Sequence, residues 1–246
     1  LRRLHEKPAE EAFAHHRDNV PERVYEHDPT QSVRIAKSRA LVALALQFLR
    51  GTEQVLKPKR IIELGCGTAD ISGYFSWGHR VKGYEACPTH FPKTALRWPH
   101  MIVPEGKDEP DRGLIQANIE TLEPEACDIL ILCETLEHLG DPVGVCGKWL
   151  PLAKYAVISS PCRGDFVGEG RNAQQADASG GEHVWSFDPQ DFKDFLRAGA
   201  HQVLKHEEFL MGACYNIWLT LSRLENKEPQ AENVEAKPVC TQPQVT

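Results

Sequence analysis

At 246 residues the chain can hold one sizeable α/β domain with appendages, and a core of that size needs no covalent staples. Hydrophobic residues make up 41% and charged residues 26%, an ordinary composition for a soluble protein, and no apolar run is long enough to cross a bilayer. The formal net charge of -7 disfavours broad capture of a nucleic-acid backbone, leaving room only for a local basic groove.

Residues 1–28 are rich in charge, Pro and His, and read as a polar, solvated arm whose imidazoles (His5, His15, His16, His27) have no regular metal-binding spacing. Its opening LRRLHEKPAEEAF has no apolar signal core, so a cytoplasmic address is expected. The stretch DPTQSVRIAKSRALVALALQFLRG then predicts an amphipathic helix. Thr30 would cap it, Val33, Ala36, Ala40, Leu41, Leu44 and Phe48 would form its buried face, and Gly51 would end it.

The stretch IIELGCGTAD follows. Ile61, Ile62 and Leu64 are β-formers in a short run that stops at Gly65, as expected of a parallel strand covered on both faces. Gly65 and Gly67 can adopt backbone angles closed to other residues and leave room for a ligand above the turn. A helix is expected to start near Ala69 to Ser72, with its free N–H groups facing that space. A dinucleotide site would want G-x-G-x-x-G here, but the third glycine position holds Asp70, and Glu63 adds a second acid before the turn. Both acids suit a ligand with a cationic or neutral hydroxylated end. The next strand, HRVKGYEACP, ends near Glu85, 22 residues after Glu63. An acid at that distance is where α/β folds grip a ribose diol, because a carboxylate can accept hydrogen bonds from both hydroxyls.

On Glu63, Gly65, Gly67 and Glu85 the sequence resembles the class I S-adenosylmethionine-dependent methyltransferases, departing at Ala69, where many members carry a third glycine. The resemblance implies a Rossmann-like, doubly wound α/β domain over residues 29–223, with a seven-stranded sheet whose last strand is antiparallel. It implies S-adenosyl-L-methionine as cofactor, held by Glu63, Gly65, Cys66, Gly67, Glu85, Ala86, Asn118, Ile119 and Cys133. Asn118 and Ile119 follow a third strand over Leu114–Ala117 and match the positions that bond the adenine amino group and pack on its ring. The competing reading of Asn118 is an ordinary turn-former.

The fourth strand, Ile129 to Cys133, leads into ETLEHL, which resembles the E-x-x-E-H segment of many small-molecule and some RNA methyltransferases and is expected to continue as a helix. Strand ends form the ligand crevice of an open α/β sheet, so Glu134, Glu137 and His138 fall on the acceptor side of the cofactor. A Glu–His pair can take a proton from a hydroxyl or hold a metal that does so; alternatively these residues only brace the loops. A fifth strand spans Tyr155 to Pro161, after a helix around VCGKWL. Pro161-Cys162 superficially resembles the Pro-Cys of cytosine-5 methyltransferases, but theirs follows the fourth strand, where this chain has Glu134, so Cys162 reads as structural or incidental. The Gly-rich CRGDFVGEGRNAQQADASGGEH is long enough to be a lid; it ends at His183 and Trp185, before a helix begun by Asp188, Pro189 and Asp191. HQVLKHEEFL and NIWLTLSRL are expected as a closing antiparallel pair, and residues 224–246 as a disordered tail. Eight cysteines (66, 87, 127, 133, 146, 162, 214, 240) form no C-x-x-C pair and no zinc-like spacing, so reduced thiols are expected.

The expected activity is transfer of a methyl group from S-adenosylmethionine to O or N of a small-molecule acceptor, ahead of nucleic acid, with no membrane partner and no metal. A second reading comes from the small-RNA 3′-terminal 2′-O-methyltransferases, whose two acids and two histidines are matched by Glu134, Glu137, His138 and His183, a set that would suit Mg²⁺ or Mn²⁺. A third is a methyltransferase-like binding subunit that keeps the cofactor site without catalysis.

Overall fold

The computed structural model describes residues 2–3, 29–51, 57–103, 111–162, 183–211 and 215–225. Seven strands form one sheet: β1 (Arg60–Leu64), β2 (Arg80–Glu85), β3 (Gly113–Gln116), β4 (Cys127–Cys133), β5 (Ala153–Cys162), β6 (His201–Met211) and β7 (Tyr215–Leu224). Their order is β3-β2-β1-β4-β5-β7-β6. The first five run parallel, and β7 lies antiparallel to both β5 and β6. The expected doubly wound sheet with an antiparallel last strand is therefore the fold of this chain.

Side-chain alternation in the central strands explains why both faces are covered. Ile62, Leu64, Leu130 and Leu132 enter one apolar layer with Trp149, Phe187, Phe192 and Phe195. Ile61, Ile129 and Ile131 point the other way, into a layer with Leu41, Val42, Leu46 and Leu49. Adjacent residues thus feed opposite cores, and the strands read as continuous hydrophobic runs. The helices are α1 (Pro29–Gly51), α2 (His90–Arg97), α3 (Pro142–Trp149) and α4 (Pro189–Ala198). At α4 the Asp188 carboxylate accepts from the Asp191 N–H while Asp191 accepts from the Asp188 N–H, the expected capping box.

Two local expectations change. In α1 the buried face is Arg34, Ser38, Leu41, Val42, Ala45, Leu46 and Leu49, whereas Val33, Ala36, Ala40 and Phe48 are exposed. Apolar residues surround most of this helix, so periodicity could not choose the face. Docking chose it: Lys37 donates to Glu207 on β6 at 2.7 Å, and Cys133 Sγ at the end of β4 lies 3.7 Å from Ser38 Oγ. Thr30 falls inside the first turn rather than capping it. After the glycine loop there is no long helix, only turns and a 3₁₀ segment over Ser72–Phe75. Ala69 has φ +55°, a left-handed conformation that cannot open an α-helix. Likewise ETLEHL forms a single 3₁₀ turn, Leu136–His138, before α3 starts at Pro142.

Arg2–Arg3 pairs antiparallel with Trp185–Ser186. Leu224, expected to open the tail, is the last residue of β7; the rest of the N-terminal arm, residues 163–182 of the expected lid and residues 226–246 of the tail lie outside the described residues, as do Cys214 and Cys240. Cys66, Cys87, Cys127, Cys133 and Cys146 are buried and not in disulfides. No described helix is long and apolar enough to cross a membrane.

Candidate functional site

The sheet order reverses between β1 and β4, and at such a switch point the loops leaving the two strands diverge and open a crevice. One wall is the loop after β1. Gly65 and Gly67 both have positive φ (+67° and +53°), and the Gly65 and Cys66 N–H groups donate to the Tyr84 carbonyl at 2.8 and 3.0 Å. A side chain at Gly65 would meet the buried Thr135, whose Cγ2 would lie 2.6 Å from the new Cβ. The loop is thus tied to β2 on one side and pressed against the β4 exit on the other.

Glu85, at the end of β2, organises this wall. Gly67 N–H donates to its Oε2 and Cys87 N–H to its Oε1, both at 2.7 Å. Burial alone would raise its pKa, but His90 and these two N–H groups overcome that and hold it below the usual carboxylate range. Each oxygen keeps a second lone pair, so the hydroxyl-accepting role expected of Glu85 is compatible with its geometry. Glu63 is different. It is 3% exposed and accepts the Ser72 N–H at 3.1 Å, yet burial pushes its pKa up to about 7. Asp70 accepts from Arg97 and from the Thr68 hydroxyl (2.6 Å), whereas the Ser72 hydrogen bond and the Arg34 charge only partly offset the burial of Glu63.

The other expected cofactor residues fall into two groups. Cys66 and Cys133 are buried, with thiols kept protonated by burial, that of Cys133 at a pKa of about 12. Ala86 is half-buried beside Glu85. Asn118 behaves as a turn-former: its Oδ1 accepts the Glu120 N–H at 3.0 Å and its carbonyl accepts the Thr121 N–H at 3.2 Å. Ile119 is 6% exposed and packed in the core with Leu136 and Leu139.

The opposite wall leaves β4. Glu134 has φ +54°, its N–H donates to the Ser159 carbonyl at 3.0 Å, and its Oε1 accepts the Ser159 hydroxyl at 2.8 Å. One turn on, Glu137 is 1% exposed; its Oε2 accepts the Ser160 hydroxyl at 2.8 Å while its Oε1 has no hydrogen-bond partner. Burial, then the neighbouring Glu134 charge, drives the Glu137 pKa upward; burial also raises that of Glu134, against the pull of Arg34. The sequence places His183 45 positions after His138, but two bonds fold its segment back: Val184 N–H donates to the Glu137 carbonyl and Trp185 Nε1 to the Leu139 carbonyl, each at 2.7 Å. The His138 and His183 rings consequently lie 4.9 Å apart, and ligand atoms of Glu137, His138 and His183 all fall within 4.8 Å of one another. Glu134 stands outside that trio, turned toward Ser159. Two contributors were not singled out from sequence. Arg34 belongs to an amphipathic helix where a cation reads as surface, and His90 sits in a stretch whose only signal was a short helix.

No protein-family model matches the chain, and no curated protein matches it by sequence. Its fold is similar to several solved structures. The N-methyltransferase NodS from Bradyrhizobium japonicum WM9, in complex with S-adenosylhomocysteine, aligns with a TM-score of 0.62 at 13% identity, over 89% of this chain and 99% of that one. Magnesium protoporphyrin IX methyltransferase from Synechocystis PCC 6803 with bound S-adenosylhomocysteine gives 0.59 at 12% identity, over 87% and 95%. The 1,6-didemethyltoxoflavin-N1-methyltransferase of Burkholderia thailandensis, with 1,6-didemethyltoxoflavin and S-adenosylhomocysteine bound, gives 0.58 at 16% identity, over 89% and 87%. These likenesses establish the shared seven-stranded architecture.

Proposed function

We propose that this chain binds S-adenosylmethionine at the Gly65–Gly67 loop and transfers its methyl group to an oxygen or nitrogen of a small-molecule acceptor. The observation that carries this reading is the left-handed Gly65-x-Gly67 turn bonded to a buried, ionised Glu85 at the switch point of the sheet. Solved proteins of the same fold hold S-adenosylhomocysteine, and the three described above are methyltransferases. In this reading Glu85 accepts from the ribose hydroxyls, Glu63 faces the cationic end, and Gly65, Cys66, Gly67, Ala86 and Ile119 form the cradle with Cys133 and Asn118 at its margin. The sulfonium of the bound cofactor supplies an already activated methyl group, so the chain's main task is alignment. His138, beside the buried Glu137, is the base available for an acceptor that must lose a proton.

One observation favours a second reading. Glu137, whose Oε1 has no hydrogen-bond partner, converges with His138 and His183 in a set that fits a divalent cation, and such a site belongs to the expected RNA 3′-terminal 2′-O-methyltransferase alternative. Three of its four expected ligands converge; Glu134 would have to leave Ser159 to join them.

Calorimetry tests the cofactor reading: S-adenosylhomocysteine should bind and NAD should not, and the reverse result would sink it. A labelled-methyl screen across hydroxylated metabolites, protein and short RNAs, with and without Mn²⁺, tests the acceptor. Transfer that ignores Mn²⁺ would remove the RNA reading.

A further inference from the structure

We infer that His90 is a positioning residue for the cofactor's ribose, acting through Glu85 rather than touching the ligand itself; this role rests on the cofactor reading above. His90 opens α2 and is 5% exposed. Its Nδ1 lies 3.7 Å from Glu85 Oε1, an electrostatic contact too long to count as a hydrogen bond, with both side chains more than nine-tenths buried. The same helical turn also braces the glycine loop. A methyl group on Gly67 would sit 3.9 Å from His90 Nδ1, and the Thr94 hydroxyl, 3.0 Å from the His90 carbonyl, lies 3.5 Å from that of Gly67.

The arrangement has a chemical consequence. Gly67 N–H and Cys87 N–H fix the plane of the Glu85 carboxylate from two sides, each on a different oxygen. His90 adds the third constraint, from the α2 side, 3.7 Å from Oε1, and with the two N–H groups offsets the effect of burial on that carboxylate. A carboxylate so held keeps one lone pair of each oxygen in a fixed direction, which is what simultaneous acceptance from two vicinal hydroxyls requires. Without His90 the carboxylate would keep its backbone partners but lose its side support, and its remaining lone pairs would no longer be held for a diol. Orientation of a ligand-binding carboxylate by a buried neighbour is the role that supporting residues play around other built sites.

The test combines calorimetry with two probes, S-adenosylhomocysteine and its 2′,3′-dideoxyribose analogue. His90→Gln should weaken S-adenosylhomocysteine about fivefold to tenfold, the scale of one charge-assisted contact, and leave the dideoxy analogue within about twofold. In a Glu85→Gln background, adding His90→Gln should cost nothing further, since the residue it supports has lost its charge. His90→Asn serves the same purpose if the longer amide perturbs folding, and each variant's thermal midpoint reports on that separately. Equal weakening of both probes would mean that His90 merely packs the loop, and unchanged affinity for both would remove any role; either result overturns the inference while leaving the cofactor reading intact. Failure of the unaltered protein to bind S-adenosylhomocysteine would overturn the cofactor reading, and the role of His90 with it.

Discussion

Two buried carboxylates, one at the end of β2 and one after β4, are held in opposite states. Glu85, at the end of β2, has an N–H donor on each oxygen and a histidine beside it, which hold its carboxyl below the usual carboxylate range. Glu137, after β4, has one oxygen satisfied by Ser160 and one with no partner, next to a second acid, and burial and that neighbour push it toward its neutral form. The first wall is therefore finished before any ligand arrives, as suits a cofactor cradle whose occupant is always the same. The second wall holds unmet demand for a proton or a cation, the condition expected where chemistry is done.

The largest expected effect would break the finished wall outright. Gly65→Val forces a β-branched residue into φ +67° and drives its Cβ into Thr135, which cannot yield because its hydroxyl lies 3.0 Å from the Leu64 carbonyl and 3.2 Å from that of Cys133. A stability loss of about 3 kcal/mol or more, together with loss of S-adenosylhomocysteine binding, is expected from thermal unfolding and calorimetry.

Glu63 comes next, because it belongs to the finished wall by position but to the unfinished one by charge. Its folded pKa of about 7 lies above its ordinary 4.5, so the native state binds the extra proton and the contribution favouring folding is lost as pH rises between these values. Glu63→Gln should match the unaltered protein near pH 4 and exceed it by ~3 kcal/mol at pH 8 in denaturant titrations. A pH-independent difference would show that the folded pKa of Glu63 is not shifted from its ordinary value.

The contrast itself is sharpened by a pair of amide substitutions with opposite signs. Glu85→Gln should cost about 1–2 kcal/mol at pH 7, because a charge-assisted acceptor is lost. With a folded pKa below its ordinary value, that penalty is present above the unfolded pKa and fades as pH falls through the folded one. Glu137→Gln should instead raise stability by about 1 kcal/mol at pH 8, by removing an acid whose ionisation burial and Glu134 oppose, while lowering the proposed methyl transfer. Equal signs for the two would mean the walls do not differ as described.

The smallest effect concerns the margin of the cradle. Asn118→Ala removes one turn hydrogen bond at an exposed position and should cost about 0.5 kcal/mol. S-adenosylhomocysteine affinity should stay within about twofold if the side chain serves only its turn. A tenfold loss would move it to the adenine.

The sequence by itself determined the features that short-range chemistry dictates. An apolar run ending in Gly-Cys-Gly can only be a buried strand leading into a left-handed turn, and Asp188-Pro189-x-Asp191 can only start a helix. Glu85 was legible too, since a parallel strand–turn–strand unit fixes how far along the chain the next strand end falls. Tertiary structure decided whatever depended on a competitor for the same group. The sheet edge chose which face of α1 is buried, and Ser159 drew Glu134 away from the histidines. It also brought His183 to His138, through backbone bonds to Glu137 and Leu139 that no local pattern announces. The physical reason is common to all three: a polar group takes the nearest partner that folding provides, and only the assembled fold sets which partner is nearest.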